Sequence, residues 1–237
     1  MNDALGTTQA SASQLTFRQA TLNDLPELSR VFNEIWPQEE PLKHTPMGLE
    51  MAKYLTLGYM SRATFANMAF TADGTFAGTT FARVEGQRLL FPEASDMARE
   101  TAQFISEDPM GKLAVDFYDG PFHEGEQQME RDSEVERNTQ AELLLYMVNP
   151  ATQGMGVGGK LWKALMHELR KEGVHSFFLH TDTTCDYMYY EYHGLKRVAE
   201  RLHADHPEDD DQIYRLNYDM FVYRGDVPAA VQETPAK

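Results

Sequence analysis

AELLLYMVNPATQGMGVGGKLWKALMHELRKEG, residues 141–173, places an apolar run, a glycine-rich stretch and a helical pattern in direct succession. AELLLYMVNP (141–150) is a nearly continuous apolar run closed by Asn-Pro, the pattern of a strand buried on both faces. Leu161, Leu165 and Leu169 then recur at i, i+4 and i+8, with Gly173 as a stop, which predicts an amphipathic helix. Between the two lies QGMGVGGK (153–160), with four glycines in eight positions. Glycine in a helix costs about 1 kcal/mol relative to alanine, so the bare backbone must be needed there. Glycines at a strand–helix junction let the chain turn tightly and approach a ligand without Cβ interference. The helix N-terminus adds unpaired N–H groups and a partial positive charge, which together suit an anion such as pyrophosphate. One or two glycines would serve a turn; four point to a phosphate cradle.

Outward from this unit the pattern stays α/β. LTFRQA (15–20) alternates as a short strand. TLNDLPELSRVFNEIW (21–36) starts on a cap-like Thr21 or Asn23, has Pro26 in its first turn, and carries apolar residues at helical spacing. A second helix is expected over roughly 47–59. TFANMAFTADGTFAGTTFARVEG (64–86) reads as two strands joined across Asp73-Gly74. From 87 to 139 the pattern is taken as a helical or loop insertion, with a helix near 94–105 and a short strand in KLAVDFYDG (112–120). HEGEQQMERDSEVERN (123–138) reads as a solvated helix or a loop. HSFFLHTD (175–182) is a second buried strand, and CDYMYYEYHG (185–194) a short aromatic helix ended by Gly194. LKRVAERLH (195–203) and QIYRLNYDMFVYR (212–224) read as two strands around the acidic loop ADHPEDDD (204–211). Residues 1–14 and 226–237 are expected to be flexible tails around one domain, 15–225.

The net charge of −16 repels phosphate backbones, which argues against nucleic-acid binding, and it would favour a cationic substrate. No window approaches the roughly 18 apolar residues of a membrane span. MNDALGTTQASASQ has no basic n-region, so no secretory signal is read there. A single cysteine, Cys185, excludes an internal disulfide framework and fits a reducing compartment, giving a cytoplasmic expectation. The terminal strands offer edges for pairing into a homodimer.

Gly154, Gly156 and Gly159 literally satisfy G-x-G-x-x-G, and Asp182 ends the next strand where a ribose-binding acid would sit. In a dinucleotide fold, however, the first glycine follows the strand almost at once, whereas five residues intervene here. A Walker loop is excluded, since no Gly-Lys-Ser/Thr occurs. Val148-Asn-Pro followed by Gln153-Gly-Met-Gly156-Val-Gly158 resembles the acyl-CoA-binding signature of the GNAT N-acetyltransferase superfamily, Arg/Gln-x-x-Gly-x-Gly/Ala after Val-x-Pro. Tyr189-Tyr-Glu-Tyr-His-Gly194-Leu195 resembles that superfamily's Phe-Tyr-Glu-Lys-x-Gly-Phe stretch, with Tyr192 for lysine and Leu195 for phenylalanine. The resemblance covers residues 140–200 best.

It implies a GNAT-like mixed twisted sheet flanked by helices, and acetyl transfer from acetyl-CoA (coenzyme A) to a primary amine of a small molecule or peptide by direct attack. The implied cofactor-binding residues are Met147, Val148, Gln153, Gly154, Met155, Gly156, Val157, Gly158 and Gly159. The N–H groups near Met147 and Val148 would polarise the thioester carbonyl, and the glycine loop would hold the pyrophosphate. Amide formation needs a neutral amine, oxyanion stabilisation and a proton for the leaving thiolate. Glu142, expected to share a strand face with Tyr146 and Val148, is the candidate base, and Tyr190 the candidate acid. His180 and Asp182 could face the acceptor. Cys185 has no neighbour that would lower its pKa, and no histidine spacing suggests a metal site. Two other readings stay open: a non-catalytic acyl-CoA-binding or sensor module, and a nicotinamide-dinucleotide-binding protein.

Overall fold

The computed structural model describes residues 15–207, 209, 214 and 216–229. Seven strands form one sheet: β1 (Thr16–Gln19), β2 (Phe65–Phe70), β3 (Phe76–Val84), β4 (Ala141–Val148), β5 (Ser176–Asp182), β6 (Lys196–Arg201) and β7 (Met220–Asp226). Their spatial order is β1-β2-β3-β4-β5-β7-β6. All neighbours are antiparallel except β4 and β5, which are joined through α7 (Val157–Lys171). This is the mixed twisted sheet expected from the sequence.

Two helical layers cover it. On one face α7 buries Trp162, Leu165, Met166 and Leu169 against Ala82, Leu143, Phe177 and Leu179. The short α8 (Met188–Tyr192) adds Tyr189 and Tyr190 to the same cluster. On the other face α1 (Leu25–Ile35) and α2 (Pro46–Arg62) pack Leu28, Val31, Phe32, Leu57 and Met60 against Phe81, Leu145 and Met147. Burying such side chains contributes about 1.5–3 kcal/mol each, so these two interfaces fix the layers.

The stretch 87–139 is helical: α3 (Ala94–Ile105), α4 (Pro109–Phe117), a single wide turn over Tyr118–Phe122, α5 (His123–Ser133) and α6 (Val135–Asn138). The strand expected in KLAVDFYDG is instead most of α4 and the following turn. Its apolar residues alternate, but Asp108 accepts from the Met110 and Gly111 N–H groups at 2.9 Å, and Pro109 occupies the first helical position. That cap starts a helix whose Ala114, Val115 and Phe117 join Met129 and Val135 against Phe178 and Val222 of the sheet. The strand expected from Gln212 begins only at Met220, and Tyr214 and Leu216 are buried in this same cluster.

At the C-terminal end β7 runs through Asp226, Val227 N–H donates to the His175 carbonyl at 2.8 Å, and Arg170 Nε donates to the Pro228 carbonyl at 2.8 Å. Residue 226 is therefore part of a strand and not of the expected tail; residues 230–237, like the expected tail 1–14, lie outside the described residues. In the acidic loop Asp209 is buried and paired with Arg201 at 2.7 Å, while 208, 210 and 211 lie outside the described residues. No helix among the described residues is long and apolar enough to cross a membrane.

β4 carries one irregularity that the rest of the site depends on. Phe81 pairs with Leu145 and Ala82 with Leu143, leaving Leu144 as an extra residue in β4. Such a bulge breaks the two-residue alternation of side chains. Leu144, Leu145 and Met147 accordingly all pack on the α1/α2 face, whereas Tyr146 and Val148 pack on the α7 face.

Candidate active site

The glycine loop is built on a stiff corner. Asn149 is buried; its Nδ2 donates to the Phe76 carbonyl at 2.7 Å, its Oδ1 accepts from Ala151 N–H at 3.0 Å, and its own N–H donates to the Ala77 carbonyl at 2.9 Å. Thr152 Oγ1 donates toward the Asn149 and Ala77 carbonyls at 2.9 and 3.2 Å. The corner is thus stapled to the start of β3. Beyond it Gly154 (φ 82°) and Gly156 (φ 67°) sit in the left-handed region that favours glycine, and Gly156 is the N-cap of α7. The N–H groups opening α7, from Val157 to Gly159, precede the first i→i−4 bond, which Lys160 makes to the Gly156 carbonyl.

Gln153, Gly154, Met155, Gly156 and Gly159 are exposed, and a Cβ at Gly154, Gly156 or Gly159 would meet nothing within 4 Å. The cradle therefore has an open side with donors on it. The Val157 side chain is buried against Ala69, Ala77 and Leu161, so it anchors the helix and leaves only its N–H to a ligand. Tyr146 Oη donates to the Gly158 carbonyl at 2.6 Å and lies 2.9 Å from the Tyr189 hydroxyl, tying β4, α7 and α8 together.

Next to the cradle the sheet splits. β4 and β5 pair only at Ala141–Phe177, Glu142–Phe178 and Leu143–Leu179. Past that point β5 continues with β7 alone, to Asp182–Met220, and β4 continues with β3 alone, to Val148–Gly78. The result is a wedge with Met147 and Val148 on its open side. Gly78 is what brings β3 close enough behind them: a Cβ there would lie 2.5 Å from the Met147 carbonyl oxygen and 2.8 Å from Leu161 Cδ1. Gly78→Ala is expected to cost roughly 1–3 kcal/mol by overpacking, read as a fall in the urea midpoint at unchanged m-value; an unchanged midpoint would show that β3 is free to retreat.

Charged groups gather at the apex of the wedge. Glu142 is 3% exposed; its Oε1 accepts from Arg62 Nη1 at 3.3 Å and its Oε2 from Arg83 Nε at 3.1 Å. The expectation that Glu142 shares a face with Tyr146 and Val148 is overturned by the bulge at Leu144, which puts Glu142 on the insertion-helix side with its cross-strand partner Arg83. On that side it meets His180, the first β5 residue beyond the β4 pairing, whose Nε2 lies 2.8 Å from Glu130 Oε1 and whose Nδ1 lies 3.9 Å from Glu126 Oε1. Glu126 and Glu130 stand one turn apart on α5.

Burial pulls the His180 pKa down, but Glu126, the Glu130 hydrogen bond and Glu142 push harder, and the net shift is upward from 6.5. Burial raises the Glu130 carboxyl, but the His180 hydrogen bond and the charges of His180, Arg62 and Arg83 together outweigh it, so it titrates below its ordinary value. Glu130, Glu142 and His180 bring ligand atoms within 4.8 Å of one another, yet a cation there would have to displace Arg62 and Arg83 from Glu142.

Tyr190 is half-buried, with Trp162 and Tyr223 ring centroids 6.3 and 6.1 Å away, and burial pushes its hydroxyl far above 10. Asp182 Oδ1 accepts from the Thr184 N–H at 2.7 Å, closing the turn after β5. Burial and Asp182 raise the Cys185 thiol, which suits the expectation of an unreactive cysteine. Arg62, Arg83, Glu126, Glu130, Asn149 and Thr152 had no signal in the sequence that singled them out, apart from the Asn149-Pro150 stop.

A family model described as the acetyltransferase (GNAT) family matches residues 28–193. Similar solved structures include arylalkylamine N-acetyltransferase 2 from Aedes aegypti (12% identity, TM-score 0.57, covering 91% of this chain and 100% of that one). A polyamine N-acetyltransferase from Drosophila melanogaster, an enzyme that forms N-acetylagmatine, gives 14% identity and a TM-score of 0.54 over 90% of this chain and 100% of the other. Ard1 from Thermoplasma volcanium gives 14% and 0.51 over 91% and 99%. At these identities the likeness is one of fold. No curated protein matches the sequence.

Proposed function

The chain belongs to the acetyltransferase (GNAT) family, and we propose that it transfers an acetyl group from acetyl-CoA to a primary amine of a small molecule or peptide by direct attack. The observation that carries this reading is the open cradle: Gly154, Gly156 and the first N–H groups of α7 lie on an exposed rim with space where side chains would be. Such a rim accepts a pyrophosphate through N–H donors and the helix dipole. Bound there, acetyl-CoA supplies the acetyl group as a thioester.

The chain's own residues do the rest. Gln153, Gly154, Met155 and Gly156 form the exposed rim, and Val157, Gly158 and Gly159 contribute N–H groups. At Met147 and Val148 the edge of β4 that faces away from β3 is freed of β5 by the wedge, and the N–H pointing to that edge stands ready to donate to a developing oxyanion. Tyr190 serves as the donor to the thiolate: burial keeps its phenol protonated, so the O–H can hydrogen-bond to the charge developing on sulfur. Glu142, fixed by two guanidiniums at the apex, sets the charge and geometry of the acceptor side.

The test is thermal unfolding with coenzyme A, acetyl-CoA and NAD in parallel. A ligand at about 100 times its Kd stabilises the fold by roughly 2.7 kcal/mol, a shift of several degrees. The expected result is a shift with coenzyme A and acetyl-CoA and none with NAD. A shift with NAD alone would replace the acetyl-CoA reading by the dinucleotide one, and no shift at all would remove the cofactor assignment.

A further inference from the structure

Which group makes the acceptor nitrogen nucleophilic is not settled by the family pattern, and the apex of the wedge answers it differently from the sequence. Both Glu142 oxygens are engaged by guanidinium groups, and the residue is 3% exposed. Both oxygens are thus turned toward cations inside the protein, and neither is presented to an incoming ammonium. His180 has the complementary arrangement. Its Nε2 faces Glu130 at 2.8 Å, which fixes the ring with Nε2–H donating to the carboxylate and leaves Nδ1 as the acceptor. Nδ1 is enclosed and has no hydrogen-bond partner. A buried polar atom without a partner is rare enough to require a reason. The nearest carboxylate, Glu126, stands 3.9 Å away, too far to bond but close enough to attract a cation.

We propose that His180, oriented by Glu130, takes the proton from the incoming ammonium at Nδ1, and that Glu126 draws that ammonium in. The inference rests on the acetyltransferase reading given above. Because Nδ1 is enclosed, the proton reaches it through one water beside Glu126, leaving a neutral amine. Its nitrogen forms the new bond to the acetyl carbon as the carbon–sulfur bond breaks. Tyr190 protonates the sulfur and is restored by the second proton of the nitrogen, and His180 releases its proton to solvent. Glu130 is a positioning residue: it acts through His180 without touching the acceptor. The groups facing the imidazole are Glu126 and Glu130 from α5, Glu142 from β4, and Arg62 and Arg83 behind Glu142. The carboxylates nearest the ring outweigh its burial, so the active, neutral form is gained as pH rises through a value above 6.5.

The experiment compares phenethylamine with β,β-difluorophenethylamine, whose fluorines leave more of it neutral at the same pH. His180→Gln is expected to lower kcat/KM for phenethylamine by about 10²–10⁴-fold, with a much smaller loss for the difluoro analogue and an unchanged melting shift with acetyl-CoA. In the unsubstituted protein the acidic limb of kcat/KM should lie above 6.5 and coincide with the titration of the His180 imidazole followed by NMR. Glu130→Gln, which keeps the shape and removes the charge, should move both downward together. Equal losses for the two amines, or a limb that stays put in Glu130→Gln, would overturn the proposal while leaving the transferase reading intact. Absence of any melting shift with acetyl-CoA in the unsubstituted protein would overturn both.

Discussion

Gly156→Val is expected to abolish stabilisation by coenzyme A while leaving a folded protein. Gly156 sits at φ 67°, where a residue with a Cβ costs about 1–2 kcal/mol and a β-branched one is a genuine outlier. Nothing lies within 4 Å of the position its Cβ would take, so the fold meets strain but no collision. That empty position is the open side of the cradle, where the pyrophosphate is proposed to lie. Hydrogen bonds to a charged group contribute about 1.5–3 kcal/mol each, and pushing the ligand off one or two N–H groups weakens binding on the order of 100-fold. Titration calorimetry with coenzyme A, beside a melting curve, separates the two effects. Wild-type affinity in a correctly folded Gly156→Val protein would place the pyrophosphate elsewhere.

The second large effect concerns stability. Arg62→Met combined with Arg83→Met leaves the Glu142 carboxylate inside the protein without its cations. Breaking a buried ion pair by removing one side costs about 3–5 kcal/mol; because the two arginines are 43% and 40% exposed, the low end applies here. Adding Glu142→Leu to the pair should restore most of the loss, since an apolar residue of similar volume leaves no charge stranded. Urea denaturation of the unsubstituted protein, the double variant and the triple variant decides it. A triple variant no more stable than the double one would mean that Arg62 and Arg83 stabilise by packing their stems rather than by their charge.

Why the sequence revealed the cradle and hid the apex follows from the range of the interactions. The loop is a local object: an apolar strand, an Asn-Pro corner, glycines and a helix pattern within 33 consecutive residues, each with its own short-range signal. The apex is assembled from distant residues. Arg62 lies 80 positions from Glu142, Arg83 lies 59, and Glu130 lies 50 from His180. No periodicity can show such pairs. The bulge was hidden for a different reason. In AELLLYMV both faces are apolar from Leu143 on, so an extra residue leaves no break in the alternation, and the face of Glu142 comes out inverted. In α4 the hydrophobic pattern suggested a strand, and the Asp108-Pro109 cap decided for the helix.

The last strand among the described residues is not the last in the sheet. β7 lies between β5 and β6, and β6 pairs with β7 alone. During synthesis, β6 emerges from the ribosome about 20 residues before any strand it can join, and the outer edge of β5, which carries His180, stays open for about twice as long. One side of the wedge therefore reaches its final form only when Met220–Asp226 slides in between two strands already made. Until then the nascent chain exposes two unpaired edges, a state in which strand exchange with a neighbouring chain competes with completion of the site.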